Sequence, residues 1–304
     1  MNRKTNAVAP QTAQPALPPS GTSLMRMRMP RFLRNNTAIS VAGILLAIIA
    51  VAALIAPLLG LPDPNLQNLA GRAQPPFSAG SIFGTDELGR DILSRLVYGA
   101  RISLTVAISA VAIGGGLGTV LGLLAGHYRG KVDDVISWMI NVQLAFPFIL
   151  LMIAVVAVLG PGLTNLIVVL GVGSWAIYAR LIRSEVLSVS QRDYIQSAKT
   201  VGVGELRLIF RHILPNVFSP LIVIVSFEIS SMIIAESTLS FLGLGVGPDI
   251  PSWGSMISAG RQYMQSAWWL TALPGLAIVV TVLCVNLIGD WLRDTLDPRH
   301  RTRK

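Results

Sequence analysis

Charged residues are scarce in this 304-residue chain. Asp, Glu, Lys and Arg make up 13% of it, against about 25% in a typical soluble domain, and hydrophobic residues make up 52%. The missing charge leaves long uncharged stretches at 38–59, 102–126, 135–179 and 262–289, and the stretch 215–235 contains one charge, Glu228. A membrane-spanning helix needs about 20 mainly apolar residues. The composition therefore indicates an integral membrane protein.

The longest uncharged stretch, 135–179, is too long for one crossing. As a single helix it would reach about 67 Å, twice a hydrocarbon core of about 30 Å. The sequence Gly160-Pro161-Gly162 predicts a turn within it. We therefore predict an all-α integral membrane fold with six transmembrane helices, at 38–59, 101–126, 135–159, 163–180, 215–238 and 267–290.

Positive charge is concentrated on one side of this map, and the net charge is +9. With the N-terminus inside, 19 of the 24 Lys and Arg residues fall on the cytoplasmic side. The positive-inside rule accounts for that distribution. We expect both termini to be cytoplasmic, with a disordered basic tail at 1–36, a membrane domain at 37–292 and a second basic tail at 293–304. Membrane lipid is the expected surrounding, and nucleic-acid binding is not indicated.

The sequence lacks the common motifs for catalysis, nucleotide binding and metal binding. Cys284 is the single cysteine, so no internal disulfide can form. No phosphate-binding loop follows the G-x-x-x-x-G-K-[ST] pattern, since Gly130-Lys131 is followed by Val132. The sequence has no zinc pattern or nucleophile elbow, and its three histidines are scattered. We expect no catalytic residues, metal or cofactor in this chain.

Two spans have features that predict how they pack. Glycines stand at every fourth position from Gly114 to Gly126, so they share one helix face and allow another helix to approach closely. The partner helix could belong to this chain or to another. Pro147 removes a helical hydrogen bond inside the third span and predicts a kink there.

The cytoplasmic loop at 181–214 is more elaborate than a connection requires. Ser190 and Asp193 resemble a capping box, which predicts a short helix that stops before Gly202. A second, amphipathic helix is predicted to run to Pro215. Its apolar face would contain Leu206, Ile209, Phe210 and Ile213.

This loop resembles the coupling motif of ATP-binding cassette (ABC) importer permeases: Glu-Ala-Ala, three residues, Gly, nine residues, Ile-x-Leu-Pro. Gln196-Ser197-Ala198, Gly202 and Leu214-Pro215 fall at the required spacing. Gln196 replaces the Glu of the motif, Ser197 replaces an Ala, and His212 replaces the Ile. The resemblance implies a cytoplasmic helix that contacts an ATPase. The residues assigned to it are Tyr194, Gln196, Ser197, Ala198, Gly202, Leu214 and Pro215.

Further blocks narrow the resemblance to the second permease subunit of dipeptide and oligopeptide importers, a group that includes carriers of nickel complexes and opines. They lie at 83–95, 98–103, 211–216, 239–245, 252–254 and 289–299. The resemblance implies a permease in the bacterial inner membrane that forms a pathway for peptides or similar solutes. It also implies a second permease, an external solute-binding protein, and two ATPase subunits that bind ATP and Mg.

Two groups of charged residues leave their roles open. Glu228 and Glu236 are the ionisable residues inside a span, about 80° apart around one helix. They either line the pathway and meet a cationic group, or are structural groups bonded to nearby Ser or Thr. Before the second span, the charged residues are either ion-paired with each other or form a docking surface for the binding protein. Those residues are Asp86, Glu87, Arg90 and Asp91.

Two other classes of membrane protein remain as alternatives. A self-sufficient secondary transporter or channel would usually have intramembrane charges or broken helices at corresponding positions of two halves. Here the charge is confined to the fifth span. A membrane anchor without transport activity would not require the amphipathic loop at 190–214.

Overall fold

The computed structural model of the chain describes residues 37–78, 80–247 and 249–296. The described residues form helices joined by turns, with two isolated β-bridges. They contain no β-strand. The predicted all-α class is therefore confirmed. The predicted tail at 1–36 and residues 297–304 of the second tail lie outside the described residues.

Long helices alternate with short ones along the chain. They are α1 (Thr37–Ile55), α2 (Ile92–Tyr128), α3 (Gly130–Ala145), α4 (Phe148–Leu159), α5 (Leu163–Ser190), α6 (Asp193–Thr200), α7 (Glu205–Arg207), α8 (Leu214–Phe241), α9 (Trp253–Gly260) and α10 (Trp269–Leu296). A π-helical turn at Leu208–Ile213 joins α7 to α8 without a break. Short 3₁₀ turns occupy Ala56–Leu58, Leu69–Gly71 and Arg261–Tyr263.

Within the described ranges, five helical runs are long and apolar enough to cross a membrane. They are Thr37–Leu58, Ile92–Tyr128, Leu163–Ser190, Glu205–Phe241 and Trp269–Leu296. The pair α3 and α4 passes the same test as one unit, bent by 87°. The predicted count of six is reached when this pair is counted as one span.

The predicted kink at Pro147 is a full break. Phe146, the residue before the proline, is extended with φ −94° and ψ 138°, as the proline ring requires of its neighbour. Pro147 is the N-cap of α4, and its carbonyl accepts a hydrogen bond from Leu151 N at 3.1 Å. The predicted span at 135–159 is therefore two helices at nearly a right angle.

Several of the predicted spans are shorter than the helices in the structure. α5 continues past residue 180 to Ser190, and the fifth span begins at Glu205 instead of residue 215, so most of the predicted loop at 181–214 is helical. α10 likewise continues into the predicted tail as far as Leu296. The apolar runs end where charged residues begin, but Arg, Lys and Glu are good helix formers and the backbone continues through them.

The glycine face of α2 packs against α5 of the same chain. A Cβ on Gly118 would lie 2.4 Å from the Trp175 carbonyl oxygen, and one on Gly122 would lie 2.7 Å from that of Ala179. Such distances leave no room for any side chain. The choice between an internal and an external partner is therefore settled: the two backbones touch within this subunit.

Two clusters of loops define opposite ends of the helical bundle. At one end, Trp269 Nε1 donates to Thr85 O at 3.4 Å, which joins the start of α10 to the segment before α2. Gly162 N, just before α5, donates to Gly245 O at 2.9 Å at that same end. At the other end, His127 of α2 pairs with Glu205 at the start of α7. We call these the α9 end and the α6 end.

Candidate coupling and translocation sites

α6 begins without the predicted capping box. Its N-cap is Arg192, which makes no side-chain cap, and the buried Ser190 hydroxyl has no hydrogen-bond partner among the described residues. The box fails because α5 extends through Ser190, leaving that residue inside a helix and not in front of one. The Ser190 carbonyl instead accepts a hydrogen bond from Gln196 Nε2 at 2.8 Å. This bond ties the end of α5 to α6.

α6 ends as the sequence predicts, at Gly202. Gly202 has φ +80°, a left-handed conformation that glycine adopts without strain. Its N–H donates to Lys199 O at 3.0 Å, and Val203 N donates to Ala198 O at 3.1 Å. This pair of bonds is the Schellman arrangement. It turns the chain sharply back towards α7.

One face of α6 is packed against its own subunit. Ile195 is fully buried in a cluster with Val186 of α5 and with Leu208 and Ile213 of the π-helical turn. Ala198 is half-buried against the same cluster. Ala198, one of the residues that the resemblance assigns to the ATPase contact, therefore has part of its surface against its own subunit.

The opposite face of α6 is exposed and partly apolar. Tyr194 is 44% exposed, and Val201, beside the turn, is 84% exposed. The polar residues between them, among them Gln196, Ser197 and Lys199, are also exposed. These exposed side chains leave most of this face of α6 uncovered by the described part of the chain.

The predicted apolar face of the second helix is wrong in part. Ile209 and Ile213 are buried as expected, but Leu206 and Phe210 are exposed and Leu208 is buried in their place. The π-helical turn changes the number of residues per turn, so the i, i+4 pattern of an ordinary α-helix no longer describes one face. Leu214 is half-buried, and Pro215 lies exposed at the start of α8, directly after the π-helical turn.

Polar contacts hold the α6 end to the long helices. His127 Nε2 pairs with Glu205, and Arg183 of α5 pairs with Asp133 of α3. Arg192 Nη1 donates to Asn216 Oδ1 at 3.2 Å, which joins the start of α6 to α8. Sequence reasoning missed these pairs because their members are far apart along the chain. No group of acidic, His or Cys side chains suited to a metal occurs in the described ranges.

Glu236 is enclosed by serine hydroxyls. Its side chain is 0% exposed, and it accepts hydrogen bonds from Ser103 at 2.9 Å, Ser240 at 2.7 Å and Ser237 at 3.3 Å. Ser103 Oγ also accepts from Trp253 N at 3.4 Å, so this cluster joins α2, α8 and α9. Of the two interpretations for Glu236, the structure supports the structural one.

Glu228 is in a different position. Its side chain is 8% exposed, and its Oε2 atom is buried without a hydrogen-bond partner in the described part of the chain. It lines a pocket of about 310 Å³ between α4, α5 and α8. The pocket is otherwise lined by Phe148, Ile149, Ile177, Ser231, Met232, Ile234 and Ala235. Glu228 therefore stays a candidate for a residue that lines the pathway.

The charged residues before α2 form an internal cluster. Asp86 accepts from Arg90 Nε at 2.6 Å and lies 3.5 Å from Arg95 Nε, while Arg90 Nη2 donates to Glu87 at 3.0 Å. Asp86 and Arg90 are both buried and present little surface to a binding protein, whereas Glu87 and Asp91 are half-buried. Asp91 is the N-cap of α2 and accepts from Ser94 N at 2.8 Å. The ion-paired interpretation describes this segment, although it forms turns and not a surface helix.

Comparison with known proteins gives the family and a set of relatives. A family model described as "Binding-protein-dependent transport system inner membrane component" matches residues 118–302. The di/tripeptide transport system permease protein DppC of Pseudomonas aeruginosa is 43% identical over 274 residues, covering 88% of this chain and 90% of the relative. The dipeptide transport system permease protein DppC of Alkalihalophilus pseudofirmus is 41% identical over 305 residues, 98% of this chain and 100% of the relative.

A solved structure of the inward-facing MetNI methionine ABC transporter has the same fold. It superposes with a TM-score of 0.57 at 19% identity, covering 68% of this chain and 98% of that one. This chain therefore belongs to the family of binding-protein-dependent transport system inner membrane components.

Proposed function

We propose that this chain is the membrane-spanning permease subunit of an ABC importer and that α6 is its contact with an ATPase. The observation that carries the proposal is the geometry of α6. One face is fixed to α5 and to the π-helical turn through the buried Ile195, while Tyr194 and Val201 remain exposed on the other side. A push on α6 would therefore move α5 and α8 together.

We propose peptides of two or three residues as the solute. One DppC relative is named as a di/tripeptide permease protein and the other as a dipeptide permease protein, and they align over 88% and 98% of this chain. A glutathione transport system permease of Pectobacterium atrosepticum is also 43% identical over 272 residues. Glutathione is itself a tripeptide, so the three relatives agree on the chemical class.

The proposed assembly places ATP chemistry outside this chain. It contains a second permease, two cytoplasmic ATPase subunits that bind ATP and Mg, and an external solute-binding protein. This subunit would supply half of the pathway and no catalytic group. Its multi-pass inner-membrane location follows from the family, and we propose that both termini and the α6 end face the cytoplasm.

The substitution Val201→Asp tests the α6 contact. Val201 is 84% exposed, so the change should leave this subunit folded, while a carboxylate in an apolar groove of the ATPase costs about 1–3 kcal/mol or more. We expect the whole complex purified from the variant to lose ATPase subunits or to hydrolyse ATP without transport. Leu66→Asp, at another exposed apolar residue near the α9 end, is the matched control and should transport normally. Normal ATPase content and full transport with Val201→Asp would refute the contact.

A further inference from the structure

Glu228 lacks the partners that a carboxyl group in a membrane protein needs. It lies well inside α8, in the candidate span Glu205–Phe241. Burial of a charged side chain in a bilayer costs about 2.5–3.5 kcal/mol on insertion scales. Glu236, two turns further along the helix, meets that cost with three serine hydroxyls. Glu228 has no hydrogen bond or ion pair in the described ranges, and its Oε2 is buried.

The pocket beside Glu228 is large enough for a small ligand. Its volume of about 310 Å³ lies at the lower end of the range of about 300–1,000 Å³ that small-molecule sites occupy. Glu228 is the one charged residue of its lining, and Ser231 is the other polar one. The remaining lining residues are apolar and come from α4, α5 and α8. The pocket thus combines one carboxylate with an apolar wall.

This combination fits a ligand with a cationic N–H donor next to an apolar group. We propose that the pocket binds the N-terminal ammonium group of a transported peptide at Glu228, with the first side chain of the peptide against Phe148, Ile177 and Met232. The inference rests on the proposed peptide importer and names the chemical group that this subunit recognises. The ammonium group would give Glu228 the charge-assisted hydrogen bond that the chain itself does not provide.

A cationic side chain of the second permease could offer Glu228 the same chemistry. The pocket volume favours the solute, because a Lys or Arg head group reaching in from a partner would leave most of an apolar cavity empty. Removing the charge of Glu228 should have a different effect in each case, a solute ammonium group or a side chain of the second permease. Loss of a contact between permeases lowers the yield of complex, whereas loss of a solute contact lowers transport by a complex that still assembles.

The experiment uses the complete importer in proteoliposomes, with its solute-binding protein and radiolabelled alanyl-alanine. We expect Glu228→Gln to assemble normally, to retain ATP hydrolysis stimulated by the loaded binding protein, and to lower the initial transport rate about tenfold. That factor corresponds to the loss of one hydrogen bond to a charged group. Glu228→Asp, which keeps the charge on a shorter side chain, should transport at a rate between those of the wild type and Glu228→Gln.

A photoreactive dipeptide, alanyl-photoleucine, supplies a readout independent of rate. During turnover it should label the segment of α8 that contains Met232 in the wild type, and several-fold less in Glu228→Gln. If Glu228→Gln transports and is labelled like the wild type, this inference is overturned and the proposed peptide importer is not affected. A loss of assembled complex in that variant would assign Glu228 to the contact between subunits and overturn it too. Absence of peptide transport by the wild-type complex would overturn the proposed solute together with the inference.

Discussion

Individual residues in this chain have roles that depend on what surrounds them, even when their types are the same. Glu228 and Glu236 share one helix, yet one is enclosed by serines and the other lines a pocket without a partner. The sequence indicated that both carboxyls need an explanation, because charge inside a span is costly. It could not separate them, because Ser103, which decides the case for Glu236, stands 133 positions away along the chain.

At Glu236 we expect substitution to affect folding. Glu236→Ala removes the acceptor of three hydroxyls and leaves them buried, which should destabilise the protein by at least about 2 kcal/mol. The yield of monodisperse protein in detergent, and its midpoint of thermal aggregation, should both fall. Glu185→Ala, at a half-buried carboxylate on α5, is the control and should behave like the wild type. Equal stability of the two variants would contradict the structural role.

The glycines of α2 allow a comparison within one helix. Gly118→Ala places a Cβ 2.4 Å from the Trp175 carbonyl oxygen, while Gly116→Ala meets nothing within 4 Å. Overpacking of this kind costs about 1–3 kcal/mol. We expect the first variant to lower the thermal midpoint of the purified subunit and the second to leave it unchanged or slightly raised. A similar midpoint for both would mean that α2 and α5 are not in backbone contact.

At the scale of the helices, the sequence was informative where a local cause acts alone. The apolar runs located the spans, Gly202 located the end of α6, and Pro147 located the break between α3 and α4. Prediction failed where contacts between distant parts of the chain accompany the local helix geometry. The π-helical turn at Leu208–Ile213 and the end of α5 both pack in the cluster around Ile195, and a helical period in the sequence does not reveal such contacts.

The same substitution at Gly202 and at Gly204 tests whether the left-handed turn after α6 is required. Gly202 has φ +80° and Gly204 has φ −61°, and neither has a neighbour within 4 Å of a new Cβ. Gly202→Asp should therefore cost about 1 kcal/mol of backbone strain that Gly204→Asp avoids. We expect Gly202→Asp to lower transport and ATPase retention in the purified complex more than Gly204→Asp does. The reverse order would show that the left-handed turn does not hold α6 in place.

Ala198→Trp acts on the same helix from its inner side. Because Ala198 packs against the cluster around Ile195, a large side chain there should push α6 away from its own subunit. We expect limited proteolysis between residues 191 and 204 to become faster in the isolated subunit, before any ATPase is added. Ser197→Trp, on the exposed face, is the control and should leave proteolysis of the isolated subunit unchanged. Unchanged cleavage of Ala198→Trp would place Ala198 on the partner face after all.

At the scale of the whole molecule, the bent pair α3 and α4 decides the topology. α2 runs from the α9 end to the α6 end, since Trp253 Nε1 of α9 donates to Leu96 O near its start and His127 pairs with Glu205 near its finish. α3 starts directly after α2, and the loop that follows α4 is bonded to Gly245 at the α9 end. The pair therefore connects the two ends despite its 87° bend. Counted as one span, it gives six crossings.

The orientation of α6 depends on that crossing. If the pair crosses, α5 ends on the same side as the N-terminus, and α6 lies on that side too, where the proposed ATPases would bind. If it does not, α6 and the six basic residues at 180–211 would lie outside, against the positive-inside rule. In a Cys284→Ala background, Phe77→Cys and Val201→Cys place thiols at side chains that are 85% and 84% exposed. In sealed right-side-out vesicles, an impermeant maleimide should label the first and reach the second only after permeabilisation. Labelling of Val201→Cys in intact vesicles would leave five crossings, turn α6 away from the cytoplasm and remove the basis for its contact with an ATPase.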